Sequence, residues 1–91
     1  MINAAYQAMR WPPHLDHDGI VGRLVGIREA PAAWHGGHVE LSRLFRDVEG
    51  MPAGRLAATV VEAMTWTQDH HGYELVAAQL QIVALNLKNL E

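Results

Sequence analysis

The stretch 73–90 constrains the fold most, because it places apolar residues on two nearly opposite faces of one predicted helix. With about 100° of rotation per residue, one face carries Tyr73, Val76, Leu80, Val83, Leu87 and Leu90. The second face carries Leu75, Ala78, Ile82 and Leu85. Such a helix has to bury both faces, so one packs within the chain and the other needs the N-terminal half or a second chain.

The second face predicts self-association. Burying a large apolar side chain stabilises a protein by about 1.5–3 kcal/mol, which matters greatly in a small domain. Two-fold symmetry lets such a face pair with its own copy, and two-fold dimers are the commonest oligomers. We therefore expect a homodimer in which Leu75, Ile82 and Leu85 pack against their copies.

Three other stretches predict helices. Residues 2–10 carry an apolar stripe on one face, and Trp11-Pro12-Pro13 ends it because proline has no N–H for the helix ladder. Residues 38–48 carry a similar stripe. Residues 53–69 form the first arm of a hairpin with the C-terminal helix, and the turn 70–72 contains a glycine suited to a helix end.

The stretch 19–29 leaves two structures open. Asp16 or Asp18 can cap a helix there, but glycine and β-branched residues disfavour a helix interior. We favour the helix, which predicts one mainly α domain over residues 1–91, with four or five short helices ending in the C-terminal helical hairpin. The alternative is an α+β domain with a β-hairpin in 19–45.

Composition excludes several classes of function. The chain has no cysteine, which rules out disulfides and thiolate ligands. The net charge is −3, and the arginines between Arg10 and Arg55 alternate with acidic residues, so no basic stripe is available for nucleic acid. No apolar run reaches the roughly 18 residues of a membrane span, and no secretory signal pattern begins the chain, so we expect a cytoplasmic protein.

Histidine is the one residue type here that suggests a site for chemistry. Two H-x-x-H pairs, His14/His17 and His35/His38, lie in predicted loops and provide four imidazoles for Zn²⁺, Ni²⁺ or Fe²⁺. Because such pairs often arise by chance, we favour solvated or capping roles and expect no bound cofactor. A third pair, His70/His71, is expected at a helix end, where imidazole interacts with free carbonyls.

Trp66 is the predicted contact residue for a partner. It falls opposite the predicted apolar row of its helix, Leu56, Val60 and Met64, so we expect it to be substantially exposed in the isolated domain. Tryptophan is also enriched at interface hot spots. Ser42 is the only serine and lies within a predicted helix, so no catalytic residue is expected.

The sequence thus predicts a small non-catalytic homo-oligomeric module that binds another protein. A metal-binding protein is the alternative, and an enzyme completed across a dimer boundary, using Asp16, His17 and His38, is a third class.

Overall fold

The computed structural model describes residues 14–30 and 38–89, and four α-helices occupy most of these ranges. The helices are α1 (His17–Glu29), α2 (Val39–Leu44), α3 (Ala53–Gln68) and α4 (Glu74–Lys88), with a 3-10 helix at Val48–Gly50. The predicted mainly α fold is confirmed. The alternative β-hairpin in 19–45 is wrong, because both described parts of that stretch are largely helical and contain no strand. The predicted helix 2–10 lies outside the described residues.

Helix α1 forms despite its glycines because its start is capped and its inner face is buried. The Asp16 carboxylate accepts a hydrogen bond of 2.8 Å from the Gly19 N–H, which satisfies one of the free donors in the first turn. Ile20, Leu24 and Ile27 follow at helical spacing and are all buried. Packing of this stripe therefore outweighs the low helix propensity of the stretch.

Helices α3 and α4 form the predicted hairpin and make up much of the core. Gly72 lies in the connecting turn with a φ angle of 92°, a left-handed conformation that glycine adopts without strain. The apolar row of α3 differs slightly from the prediction, since Ala63 is fully buried and Met64 only partly. The first face of α4 is buried as expected, through Val76, Leu80, Val83 and Leu87.

Helix α2 is shorter than the predicted span 38–48, and Arg28 explains why. The Arg28 Nη1 donates to the carbonyl oxygens of Phe45 and Arg46, each at 3.1 Å, at the point where the helix ends. The same guanidinium binds both carboxylate oxygens of Glu49, at 2.9 and 2.8 Å. The chain then turns into the 3-10 helix, which keeps Phe45 and Val48 buried although the α-helix has stopped.

Two polar contacts fix α1 and the chain before it against α4. The Leu15 N–H donates to the Asn86 Oδ1 at 2.7 Å, and the Asn86 Nδ2 donates to the Ile82 carbonyl at 2.9 Å. Arg23 Nη1 donates to Gln79 Oε1 at 2.6 Å. Asn86 is buried, so these hydrogen bonds satisfy polar atoms that would otherwise destabilise the core.

Candidate interaction surface around Trp66

Four aromatic rings meet where α2 begins, α3 ends and α4 begins. This ring cluster consists of His38, Trp66, His70 and Tyr73. The Trp66 ring stacks on His70 with centroids 4.0 Å apart and planes 17° apart. His38 lies tilted against Trp66 at 4.8 Å, and Tyr73 meets the same indole edge-on at 4.7 Å. Trp66 is therefore the centre of the cluster, in geometries that aromatic pairs favour.

The end of α3 holds His70 in place. Its Nδ1 lies 2.7 Å from the Trp66 carbonyl oxygen, and because a carbonyl can only accept, Nδ1 donates the proton. This bond satisfies one of the carbonyls that a helix leaves free at its C-terminus. The predicted contact between the histidine pair and the helix end is confirmed for His70. The side chains of His70 and His71 are both exposed.

The start of α2 holds His38. Its Nδ1 accepts a hydrogen bond of 3.1 Å from the Glu40 N–H, so the imidazole caps the helix as an acceptor. This role needs a Nδ1 without a proton. The sequence placed His38 in a possible metal-binding pair with His35, which lies outside the described residues, and gave no signal that it would meet Trp66.

Trp66 is half-buried, and this corrects the expectation that it is substantially exposed. One part of the side chain packs against the hydrophobic core, and the other lines a groove at the surface. His70, which stacks on Trp66, is four residues further along the chain. Because this spacing places side chains on one helix face, the contact could have been predicted from the sequence. Trp66 thus combines a core contact with an accessible edge.

A groove of about 390 Å³ runs beside Trp66 between α2 and α3. This Trp66 groove is lined by Glu40, Arg43, Leu44, Glu62, Thr65, Trp66 and Asp69. Arg43 binds Glu40 at 2.7 Å, which raises the pKa of the guanidinium and lowers the pKa of the Glu40 carboxyl. Within the described residues Glu62 and Asp69 form no ion pair. The charge of Glu62 also contributes to the raised pKa of Arg43. The groove thus carries three carboxylates and one guanidinium, which leaves an excess of negative charge.

The second face of α4 is only partly exposed. Leu75 is 65% exposed and Leu85 is 42% exposed, and both point away from the core. Ile82, between them, is only 4% exposed and is already covered within the single chain. Of the three residues predicted to pack against a second copy, Leu75 and Leu85 are thus accessible to one.

Three of the four predicted metal ligands, His14, His17 and His38, lie within the described residues. His14 is exposed, and the His17 Nε2 lies 3.3 Å from the Met51 carbonyl oxygen. Over residues 14–30 and 38–89, no group of three or more histidine, aspartate or glutamate side chains is placed to hold a metal ion. A site built from His14, His17, His35 and His38 would need His35, so the metal-binding alternative stays a prediction.

Comparisons with known proteins do not assign a family to the chain. No family model matches the chain, and no curated protein or solved structure shows significant similarity to it. In the ranges that the structure describes, no helix combines the length and apolar character needed to cross a membrane. The geometry around Trp66 and along α4 is therefore the basis for any functional argument.

Proposed function

We propose that this chain is a small, non-catalytic, homo-oligomeric interaction module of the cytoplasm that binds another protein around Trp66. The observation that carries the proposal is the half-buried position of Trp66, with three rings around it and an open groove beside it. Interface hot spots have this character: a tryptophan anchored in its own chain, next to a pocket that a partner can fill.

The surrounding rings prepare Trp66 for binding. Stacking on His70 and edge contact with Tyr73 restrict the rotamer of the indole before a partner arrives. A side chain that is already ordered loses less conformational entropy on binding, which improves affinity. The carboxylates of Glu62 and Asp69 at the rim favour a partner with positive charge, and such charges contribute mainly to specificity and association rate.

Self-association is the second part of the proposal. The exposed leucines of α4, Leu75 and Leu85, offer an apolar surface to a second copy. The expectation of a two-fold dimer through this face is supported by their exposure. The burial of Ile82 makes the shared surface smaller than the full stripe in the sequence, so we expect a dimer that dissociates at low concentration.

Sedimentation at several micromolar concentrations tests self-association. The wild type should show a mass above that of the 10.1 kDa monomer, rising with concentration. Leu75→Glu and Leu85→Glu should each shift the population to monomer without unfolding it, because both positions are exposed. Gln81→Glu, on an exposed position of the same helix outside the second face, is the control. A wild-type monomer at all concentrations would contradict the proposed dimer.

A matched pair of variants tests the Trp66 surface. Thr65 and Gln68 are both exposed polar residues near the end of α3, but only Thr65 lines the Trp66 groove. Proteins captured from cells by the wild type should be retained by Gln68→Arg and lost by Thr65→Arg, with equal melting temperatures for both variants. Equal capture by the two variants would exclude the groove as the binding surface.

A further inference from the structure

A second groove lies along the outer face of α1. This glycine groove has a volume of about 500 Å³ and is lined by Leu15, Gly19, Gly22, Arg23, Gly26, Ile27 and Gln79. Its floor is largely backbone, because three of these residues have no side chain. It is separate from the Trp66 groove and shares no residue with it.

At two of the glycines, no contact within the described chain explains why a larger residue is absent. A Cβ atom at Gly19 would lie 3.2 Å from the Asp16 carboxylate that caps α1, so the cap accounts for this glycine. A Cβ at Gly22 or Gly26 would meet nothing within 4 Å. Glycine disfavours a helix interior and alanine favours it, so two open glycines four residues apart indicate a surface that another backbone approaches closely.

The N-terminal segment of the chain enters the fold beside this groove. Leu15 lines the groove, and its N–H is fixed to Asn86 at 2.7 Å, so the preceding residues start from a defined point near Gly19. Pro12 and Pro13 then favour a turn rather than a continuous helix. Residues 2–10, if helical, extend about 13 Å, which is enough to reach past Gly26 along a groove that spans about two helical turns.

The spacing of the N-terminal stripe matches the glycines in reverse order. Along residues 2–10 the bulky positions Ile2, Tyr6 and Met9 are separated by four and then three residues. Gly26, Gly22 and Gly19, taken in the opposite chain direction, have the same separations of four and three. An antiparallel helix would therefore place each bulky side chain opposite a glycine.

We propose that the glycine groove is the docking surface for residues 2–10 of the same chain, which pack antiparallel to α1 in the register Ile2–Gly26, Tyr6–Gly22 and Met9–Gly19. The connection through 11–16 has a length that is common between packed helices. The segment is attached at one end of the groove, which gives it a high effective concentration compared with a second copy at micromolar concentration.

Alanine substitutions at the glycines test the proposal, because it predicts a fall rather than a rise in melting temperature. In an unoccupied groove, Gly22→Ala and Gly26→Ala would each remove a helix-breaking residue and raise the melting temperature of the full chain by about 4–8 °C. In the proposed packing the added methyl separates the two helices, and the melting temperature falls. Gly54→Ala, at an exposed and open position of α3, is the control and should raise it. A rise for both groove variants would overturn the proposal.

A disulfide identifies the occupant without altering the glycines. The chain has no cysteine, so the double variant Ala5→Cys/Arg23→Cys contains only the introduced pair. The proposed register brings these positions opposite each other, and oxidation at micromolar concentration should give a cross-linked monomer. Ala5→Cys/Val61→Cys, with the second cysteine on an exposed position of α3, should not form it at the same rate. A cross-linked dimer, which indicates a second copy, or equal rates for both pairs would overturn the proposal.

Discussion

The two ends of α2 are held by different kinds of contact. At its C-terminal end, the Arg28 guanidinium binds two backbone carbonyls and both oxygens of Glu49. At its N-terminal end, His38 caps the helix and leans against Trp66 in the ring cluster. A helix of six residues is too short to be stable alone, so both ends depend on the rest of the fold.

The two ends of α2 differ in how much of their surface is available to bind another molecule. The Arg28 guanidinium already has several partners within its own chain, so little of its hydrogen-bonding capacity remains. The ring cluster leaves part of the Trp66 side chain on the wall of an open groove. Polar contacts thus close one end of α2, whereas aromatic contacts fix the other and keep an accessible surface.

Phe45→Ala should have the largest effect on stability. Phe45 is fully buried at the end of α2 that Arg28 holds, and removing its ring leaves a cavity in the core. We expect a loss of about 3–5 kcal/mol in the free energy of unfolding. Urea denaturation measures it, with the exposed Arg46→Ala as the control for an effect within about 0.5 kcal/mol. A small loss for Phe45→Ala would mean that this end of α2 contributes little to the core.

Trp66→Ala should cost less, about 2 kcal/mol, because only part of the side chain packs on the core. Trp66→Phe keeps a ring against His70 and Tyr73 and should lose less than half as much. Urea denaturation of both variants gives the comparison. A loss as large as that of Phe45→Ala would show that Trp66 acts as a core residue, and it would weaken the case for a binding surface.

Acid should weaken the ion pair between Arg28 and Glu49 and thereby lower the melting temperature. The hydrogen bonds from Arg28 lower the pKa of the Glu49 carboxyl from its ordinary value of 4.5 to about 2. A carboxylate with a lowered pKa in the folded state stabilises the protein above about pH 4.5, and this contribution is lost as the pH falls from 4.5 towards 2. Glu49→Gln should flatten the melting-temperature profile over that window, whereas an unchanged profile would show that the ion pair does not contribute.

A chelator should have the smallest effect. The ring cluster gives His38 a structural role as a cap and an aromatic neighbour. Addition of EDTA should leave the melting temperature unchanged, because a domain that depends on a structural metal loses folding free energy with it. A fall that zinc reverses would instead favour metal binding by His14, His17, His35 and His38.

Local sequence patterns predicted the helices well, but they did not predict contacts between residues that are far apart in the sequence. The hairpin of α3 and α4 follows from apolar spacing, and its turn follows from Gly72, both readable within a few residues. The early end of α2 depends on Arg28, which no nearby residue reveals.

The candidate site shows the same limit. Trp66 was identified from its position on the helix, and His70 from its place at the helix end. His38 and Trp66 are 28 positions apart in the sequence, a separation that no local pattern spans. Periodicity also placed Ile82 on the same face as Leu75 and Leu85, but only the packed chain shows that Ile82 is covered.

The hydrogen bond between the Leu15 N–H and Asn86 has a consequence for synthesis. It joins two residues 71 positions apart, so the Leu15 N–H meets this partner only after residue 86 has been made. Because α1 packs directly on α4, its inner face acquires part of its packing only after α2 and α3 have been made. A chain arrested before residue 86 therefore lacks the contact that fixes the residue before the Asp16 cap, whereas the cap itself needs only residues 16–19.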